Sequence, residues 1–171
     1  LVIDWIEAHC VIPDGFTKGE PFVLSGWQAW NILNHYRVKP NAQGLAAFFE
    51  KDTDEKLPSP FHNRRSQTVR PQKSGKSPFV AAIICAEAVG PVLLYDWAQR
   101  GEVYACSDHG CSCGFEYFYE AGEPMGMAWP TPLIQITATS EEQTGNIFDA
   151  LKHRVISVKR QRGVIKMDSG G

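Results

Sequence analysis

The chain has almost no charge imbalance: 17 Lys and Arg stand against 19 Asp and Glu, a formal net charge of −2. That removes any global electrostatic pull toward nucleic acid, so contact with phosphates must come from a local basic patch. It also lacks any apolar run near the ~20 residues a bilayer-spanning helix needs. No secretory leader is expected from its first residues. It lacks an even cysteine count: there are five. Cys10 and Cys85 fall inside apolar helical patterns, so reduced thiols in a cytoplasmic setting are expected rather than a secreted disulfide framework. No internal repeat is visible. What remains is ordinary for a globular domain: 43% apolar and 21% charged residues over 171 positions, room for one core. The start at Leu1 and the end at Ser169-Gly170-Gly171 read as those of a trimmed piece of a longer protein.

A further absence is a single glycine. Ser66-Gln67-Thr68-Val69-Arg70-Pro71-Gln72-Lys73-Ser74-Gly75-Lys76-Ser77 reads as a short β-run, a turn, and a Gly-Lys-Ser that opens an apolar helix. This is the layout of a phosphate-binding loop. Triphosphate binding needs a small residue where backbone meets phosphate, an ammonium for the β- and γ-oxygens, and a hydroxyl for Mg²⁺. It also needs a helix N-terminus aimed at the anion. Gly75, Lys76 and Ser77 supply the first three. The usual pattern is G-x-x-x-x-G-K-[ST], and its first glycine is replaced here by Arg70. The competing reading is a basic surface turn shaped by Pro71.

A Walker-type loop without its first glycine, with basic and polar residues ahead of Gly-Lys-Ser, resembles that of the large terminase subunit of tailed bacteriophages. Ser25-Gly26-Trp27-Gln28-Ala29-Trp30 resembles the family's glutamine-bearing adenine motif. Gly122-Glu123-Pro124-Met125-Gly126-Met127-Ala128-Trp129-Pro130-Thr131-Pro132 resembles a segment of terminases from actinobacterial phages. Thr137-Ala138-Thr139-Ser140-Glu141-Glu142-Gln143-Thr144 resembles the strand-to-helix join that follows it. The resemblance spans residues 21–151.

It implies the nucleotide-gripping part of an ATPase that drives double-stranded DNA into procapsids in the host cytoplasm. A small terminase subunit, a portal ring and an oligomeric motor would accompany it. ATP and Mg²⁺ are the implied cofactors. Gln28, Gln72, Lys73, Ser74, Gly75, Lys76 and Ser77 become the nucleotide site, with Ser77 on Mg²⁺. Terminase loops commonly carry an arginine that approaches the γ-phosphate in cis. Gln72 stands in that place, so Arg70 and Lys73 are the basic candidates. Solvated surface positions are the alternative for both. Gln28 reads either as an adenine contact or as a polar residue on the outer face of a helix. Trp27 and Trp30 read as core.

The expected fold is α/β, a parallel sheet of P-loop type flanked by helices and incomplete in this chain. Residues 1–60 form an N-terminal helical, adenine-side segment, with Leu1, Trp5 and Ala8 near one side of a first helix. Residues 61–90 carry strand, loop and helix, the strand being 67–69. Residues 91–130 form an irregular insertion rich in cysteine and glycine. Residues 131–171 carry a strand at 133–138, a helix capped by Ser140 and Gln143, and a basic tail. Val92-Leu93-Leu94-Tyr95-Asp96 imitates a Walker B strand but is rejected. Pro91 precedes it, and Trp97 stands where a catalytic glutamate belongs. No catalytic acid is found downstream, so this chain alone is expected to be inactive.

Cys106, His109, Cys111 and Cys113 lie within one short stretch and match the ligand types of zinc. The usual separated Cys-x₂-Cys knuckles are missing, and a glycine-rich turn with partly buried reduced thiols is the preferred reading. Lys152, His153, Arg154, Lys159, Arg160, Arg162 and Lys166 form a basic run, read as a solvated face ahead of a DNA contact. Two other functions stay open. One is a different P-loop enzyme, helicase-like or a small-molecule kinase. The other is a non-catalytic, zinc-clipped binding module.

Overall fold

A computed structural model of the chain describes residues 1–51, 58–138 and 141–154. The capping box expected at Ser140 and the basic residues beyond Arg154 lie outside the described residues. The elements run α1 (Val2–His9), α2 (Gly26–His35), α3 (Leu45–Lys51), α4 (Lys76–Val89), β1 (Leu93–Trp97), β2 (Val103–Ala105), a 3₁₀ turn (Cys106–His109), β3 (Glu116–Phe118), β4 (Pro124–Met127) and α5 (Glu141–Arg154).

The central element is α4. Its sequence is apolar nearly all round, and a helix of that kind must be enclosed by the rest of the chain. Phe79, Ala81, Ala82, Cys85 and Ala86 are buried. Helices α1 and α5 pack against it, presenting Trp5 and Ile6 from α1 and Ala150 and Leu151 from α5. On α1 the buried side is Trp5, Ile6 and His9, whereas Ala8 is exposed, so the inward face is rotated from the expected one. On α2, Ile32 and Gln28 are buried. Trp30 is 64% exposed, which corrects its reading as core.

The stretch after α4 folds back on itself as two nested antiparallel pairs. The outer pair is β1–β4, with Leu93 opposite Met127 and Leu94 opposite Gly126. The inner pair is β2–β3, with Val103 opposite Phe118, Tyr104 opposite Tyr117 and Ala105 opposite Glu116. The segment read as irregular is therefore a long hairpin, and its cysteine-bearing tip lies between β2 and β3.

The fold mixes helices with small antiparallel sheets, and no parallel pair occurs among the described residues. The segments 67–69 and 133–138, expected as strands, belong to no strand in the structure. Val69 is 82% exposed and Leu133 88% exposed. A β-prone run becomes a strand only where a neighbour supplies its backbone partners and covers its side chains. Neither segment pairs with a strand here, although Ile136 packs against the core. The helix that the loop reading required is present, and the sheets among the described residues are antiparallel.

Candidate functional site

The loop ahead of α4 is shaped by two left-handed residues. Lys73 has φ 59°. Gly75, with φ 80° and ψ 23°, is the N-cap of α4. Glycine takes that conformation without steric cost. It turns the chain so that Lys76 is the first helical residue and the free N–H groups of α4 face the loop. Ser74 Oγ donates to the Pro71 carbonyl at 2.8 Å. Lys76 Nζ donates to the carbonyls of Arg70 at 2.6 Å and Pro71 at 3.3 Å. Ser77 is exposed one residue into the helix, and Gln72 is exposed on the loop.

One sequence candidate, Gln28, reaches this loop from α2, and another, Arg70 of the loop itself, packs back onto α2. Gln28 is buried, not on an outer face. Its Oε1 accepts the Ser25 N–H at 2.8 Å and the Ser25 hydroxyl at 2.9 Å, which caps α2. Its Nε2 points toward the loop, 3.7 Å from where a Cβ on Gly75 would stand. The Arg70 guanidinium sits 4.8 Å above the Trp27 ring, and Trp27 in turn meets Phe79 of α4 edge-on at 5.1 Å. Lys73 is exposed, beyond this group. Beside Lys76 runs a groove of about 330 Å³ lined by Asn31, His35, Ser66, Thr68 and Phe79 among others. Asp96, the acid of the rejected Walker B imitation, is exposed and accepts the N–H of Trp97 at 2.8 Å.

The second cluster gathers at the hairpin tip. Cys106 follows β2 directly, and its N–H donates to the Phe115 carbonyl at 3.0 Å, which extends the ladder by one step. The 3₁₀ turn then reverses at Gly110, with φ 77°, so that the Cys111 N–H reaches the Cys106 carbonyl at 2.9 Å. Cys113 lies just before β3, and its Sγ accepts the Phe115 N–H at 3.4 Å. None of the five cysteines is in a disulfide.

His109 does not join these thiols. Its ring stacks on Tyr104 instead, with centroids 4.8 Å apart. The fourth donor is His9, the last residue of α1. His9 Nε2 lies 3.1 Å from Cys113 Sγ, 3.3 Å from Cys106 Sγ and 3.8 Å from Cys111 Sγ. The four ligand atoms all lie within 4.8 Å of one another, a group able to hold a metal ion such as zinc. This replaces His109 in the expected ligand set. The sequence signal for His9 was a polar residue one turn after Trp5 on the buried side of α1, next to Cys10.

Burial dominates the electrostatics of the cluster. Burial holds the His9 imidazole below its ordinary range, outweighing the Trp5 carbonyl bond that favours the charged ring. Burial first, then the Cys113 and Cys111 thiols, push Cys106 up to about 12. Reduced thiols so crowded oppose each other's ionisation, and a cation among them reverses that balance.

Among the described residues, no helix is long and apolar enough to cross a membrane. Comparison of the chain with known protein families, curated proteins and solved structures found no match.

Proposed function

We propose that the loop ahead of α4 binds the phosphates of ATP. On this reading the chain is the nucleotide-gripping part of a large terminase, the ATPase that drives double-stranded DNA into phage procapsids. The observation that carries the reading is Gly75: a left-handed N-cap that sets Lys76 at the first position of the 14-residue helix α4. A helix N-terminus combines free N–H donors with the positive end of the helix dipole, and Lys76 adds a full charge there.

The residues divide the work by chemistry. Gly75 and Ser74 offer backbone N–H groups, Lys76 pairs with β- and γ-oxygens, and Ser77 offers its hydroxyl to Mg²⁺. Lys76 now bonds neutral carbonyls. A phosphate oxygen is a charged and stronger acceptor, so the ammonium exchanges partners without leaving the loop. Gln28, whose Nε2 faces Gly75, links the adenine-side helix α2 to the phosphates. Arg70, held over Trp27, is the nearer of the two basic candidates for a cis role, and Lys73 is the other.

In a complete enzyme of this kind, the unpaired segments 67–69 and 133–138 are strands of a parallel sheet once neighbouring strands cover them. The small terminase subunit, the portal ring and duplex DNA are the proposed partners, in the cytoplasm of a bacterial host. Calorimetric titration of MgATP into the chain and into Lys76→Ala tests the core of this reading. Equal binding by both, or none by either, overturns it.

A further inference from the structure

We propose that His9, Cys106, Cys111 and Cys113 bind one zinc ion as a closed structural site that fastens the end of α1 to the tip of the β2–β3 hairpin. None of its residues belongs to the phosphate loop.

The donor set decides the metal. Three thiolates and one imidazole form one of the standard four-coordinate zinc shells, with no position left for water or substrate. Soft thiolates disfavour Mg²⁺ and Ca²⁺, and a lone imidazole beside three thiolates matches a tetrahedral zinc set. Zn–N of about 2.05 Å and Zn–S of about 2.3 Å place nitrogen and sulfur about 3.6 Å apart in a tetrahedron. The three His9 Nε2 to Sγ distances, 3.1, 3.3 and 3.8 Å, bracket that value. A disulfide would instead bring two sulfurs to about 2.05 Å and leave the imidazole unused.

The surrounding groups already fix the ligands. The Nδ1–H of His9 donates to the Trp5 carbonyl at 2.7 Å, so the lone pair of the neutral ring is on Nε2, the atom that faces the sulfurs. The ring is held between Trp5, stacked at 4.3 Å, and Phe115, edge-on at 5.4 Å. The Phe115 N–H directed at Cys113 Sγ is the kind of bond that stabilises a thiolate ligand. Each of these contacts orients a donor toward the common centre.

The position gives the ion a task. His9 and Cys106 are 97 residues apart in sequence. Between β2 and β3 the hairpin tip has no regular structure beyond one 3₁₀ turn. Helix α1 is only eight residues long and packs on α4. A bond through zinc closes that long loop and holds both short elements in place, so metal binding becomes folding free energy.

The test uses the full chain, purified in the presence of zinc and then desalted. Elemental analysis is expected to find about one zinc per chain. Replacement by Co²⁺ is expected to give the visible absorption and thiolate charge-transfer bands of a tetrahedral site. Cys106→Ser and His9→Ala are expected to weaken zinc beyond the roughly 100-fold that loss of an orienting partner costs. His109→Ala is expected to retain full occupancy and an unchanged cobalt spectrum. His9→Cys, which restores four ligands, guards against simple misfolding and is expected to bind one zinc. Absence of zinc and of a cobalt spectrum in the wild-type chain overturns the proposal. So does a disulfide found by thiol counting, or loss of zinc in His109→Ala with retention in His9→Ala.

Discussion

Lys76 Nζ donates to the Arg70 carbonyl at 2.6 Å, so the side chain that opens α4 also closes the loop in front of it. The bond spans exposed groups, so its own contribution to stability is small. Lys76→Ala is therefore expected to leave the melting temperature nearly unchanged. Its effect falls on nucleotide: a charge-assisted phosphate contact worth roughly 1.5–3 kcal/mol is lost, and MgATP affinity falls about tenfold or more. Calorimetry alongside thermal unfolding separates the two effects. A large drop in melting temperature with unchanged affinity would make Lys76 a structural residue.

Turnover by the purified chain is expected to be negligible. Fixed phosphates are not enough for hydrolysis, which also needs a metal-binding acid and a group that positions water. The acid nearest to such a role by sequence, Asp96, is exposed and occupied with the N–H of Trp97. Asp96→Asn is expected to change neither MgATP binding nor the background phosphate release. Magnesium-dependent phosphate release abolished by Lys76→Ala would show that a catalytic carboxylate does act in this chain.

Local patterns in the sequence led to the helices and failed for the sheets. The start of α4 could be read because Gly75, Lys76 and the apolar run are contiguous, and capping is a local interaction. The segment 67–69 carries the same strength of β signal, yet strand pairing depends on a neighbour that the segment itself cannot specify. The hairpin tip was legible as a cysteine cluster for the reason that Cys106, Cys111 and Cys113 are close in sequence. Its fourth donor was not. His109 is nearer along the chain, but a 3₁₀ turn points it to Tyr104, while His9 arrives through the packing of α1 on α4. Ligands contributed by distant elements emerge only once tertiary packing is known. Gln28 shows the same limit: the sequence leaves open whether it meets a ligand or lies on the outer face of α2, and only tertiary packing buries it.

Alkaline pH is expected to destabilise the fold through Tyr36. Burial, reinforced by Glu87, raises its pKa well above the ordinary tyrosine value. Its hydroxyl donates to Glu87 Oε1 at 2.5 Å, and the Trp129 indole donates to the other oxygen at 3.0 Å. A group whose folded pKa is raised contributes stability that is complete below the unfolded pKa. That contribution is lost as pH rises beyond about 10. Denaturant midpoints are expected to be flat with respect to Tyr36 up to that pH and to decline above it. Tyr36→Phe should be less stable near neutrality and show a shallower alkaline decline. An equally steep decline in Tyr36→Phe would assign it to other groups.

Gln28 allows its two roles to be separated by substitution. Its Oε1 caps α2 by accepting the Ser25 N–H at 2.8 Å, while its Nε2 faces Gly75. Gln28→Ala removes both, and loss of a cap costs about 0.5–2 kcal/mol. Gln28→Glu keeps an oxygen for the cap, since glutamate and glutamine serve equally at that position. It also replaces an amide donor with a carboxylate beside the N-terminus of α4. The helix dipole favours a negative charge there, which offsets part of the cost of burying it. That same charge competes with phosphate for the site. Gln28→Glu is therefore expected to stay closer to wild-type stability than Gln28→Ala, yet to bind MgATP more weakly than Gln28→Ala does. Paired urea unfolding and calorimetry on the two variants read this crossing directly. Should both variants lose stability alike and bind MgATP as wild type does, Gln28 is a cap alone, and the link between α2 and the phosphate loop is withdrawn.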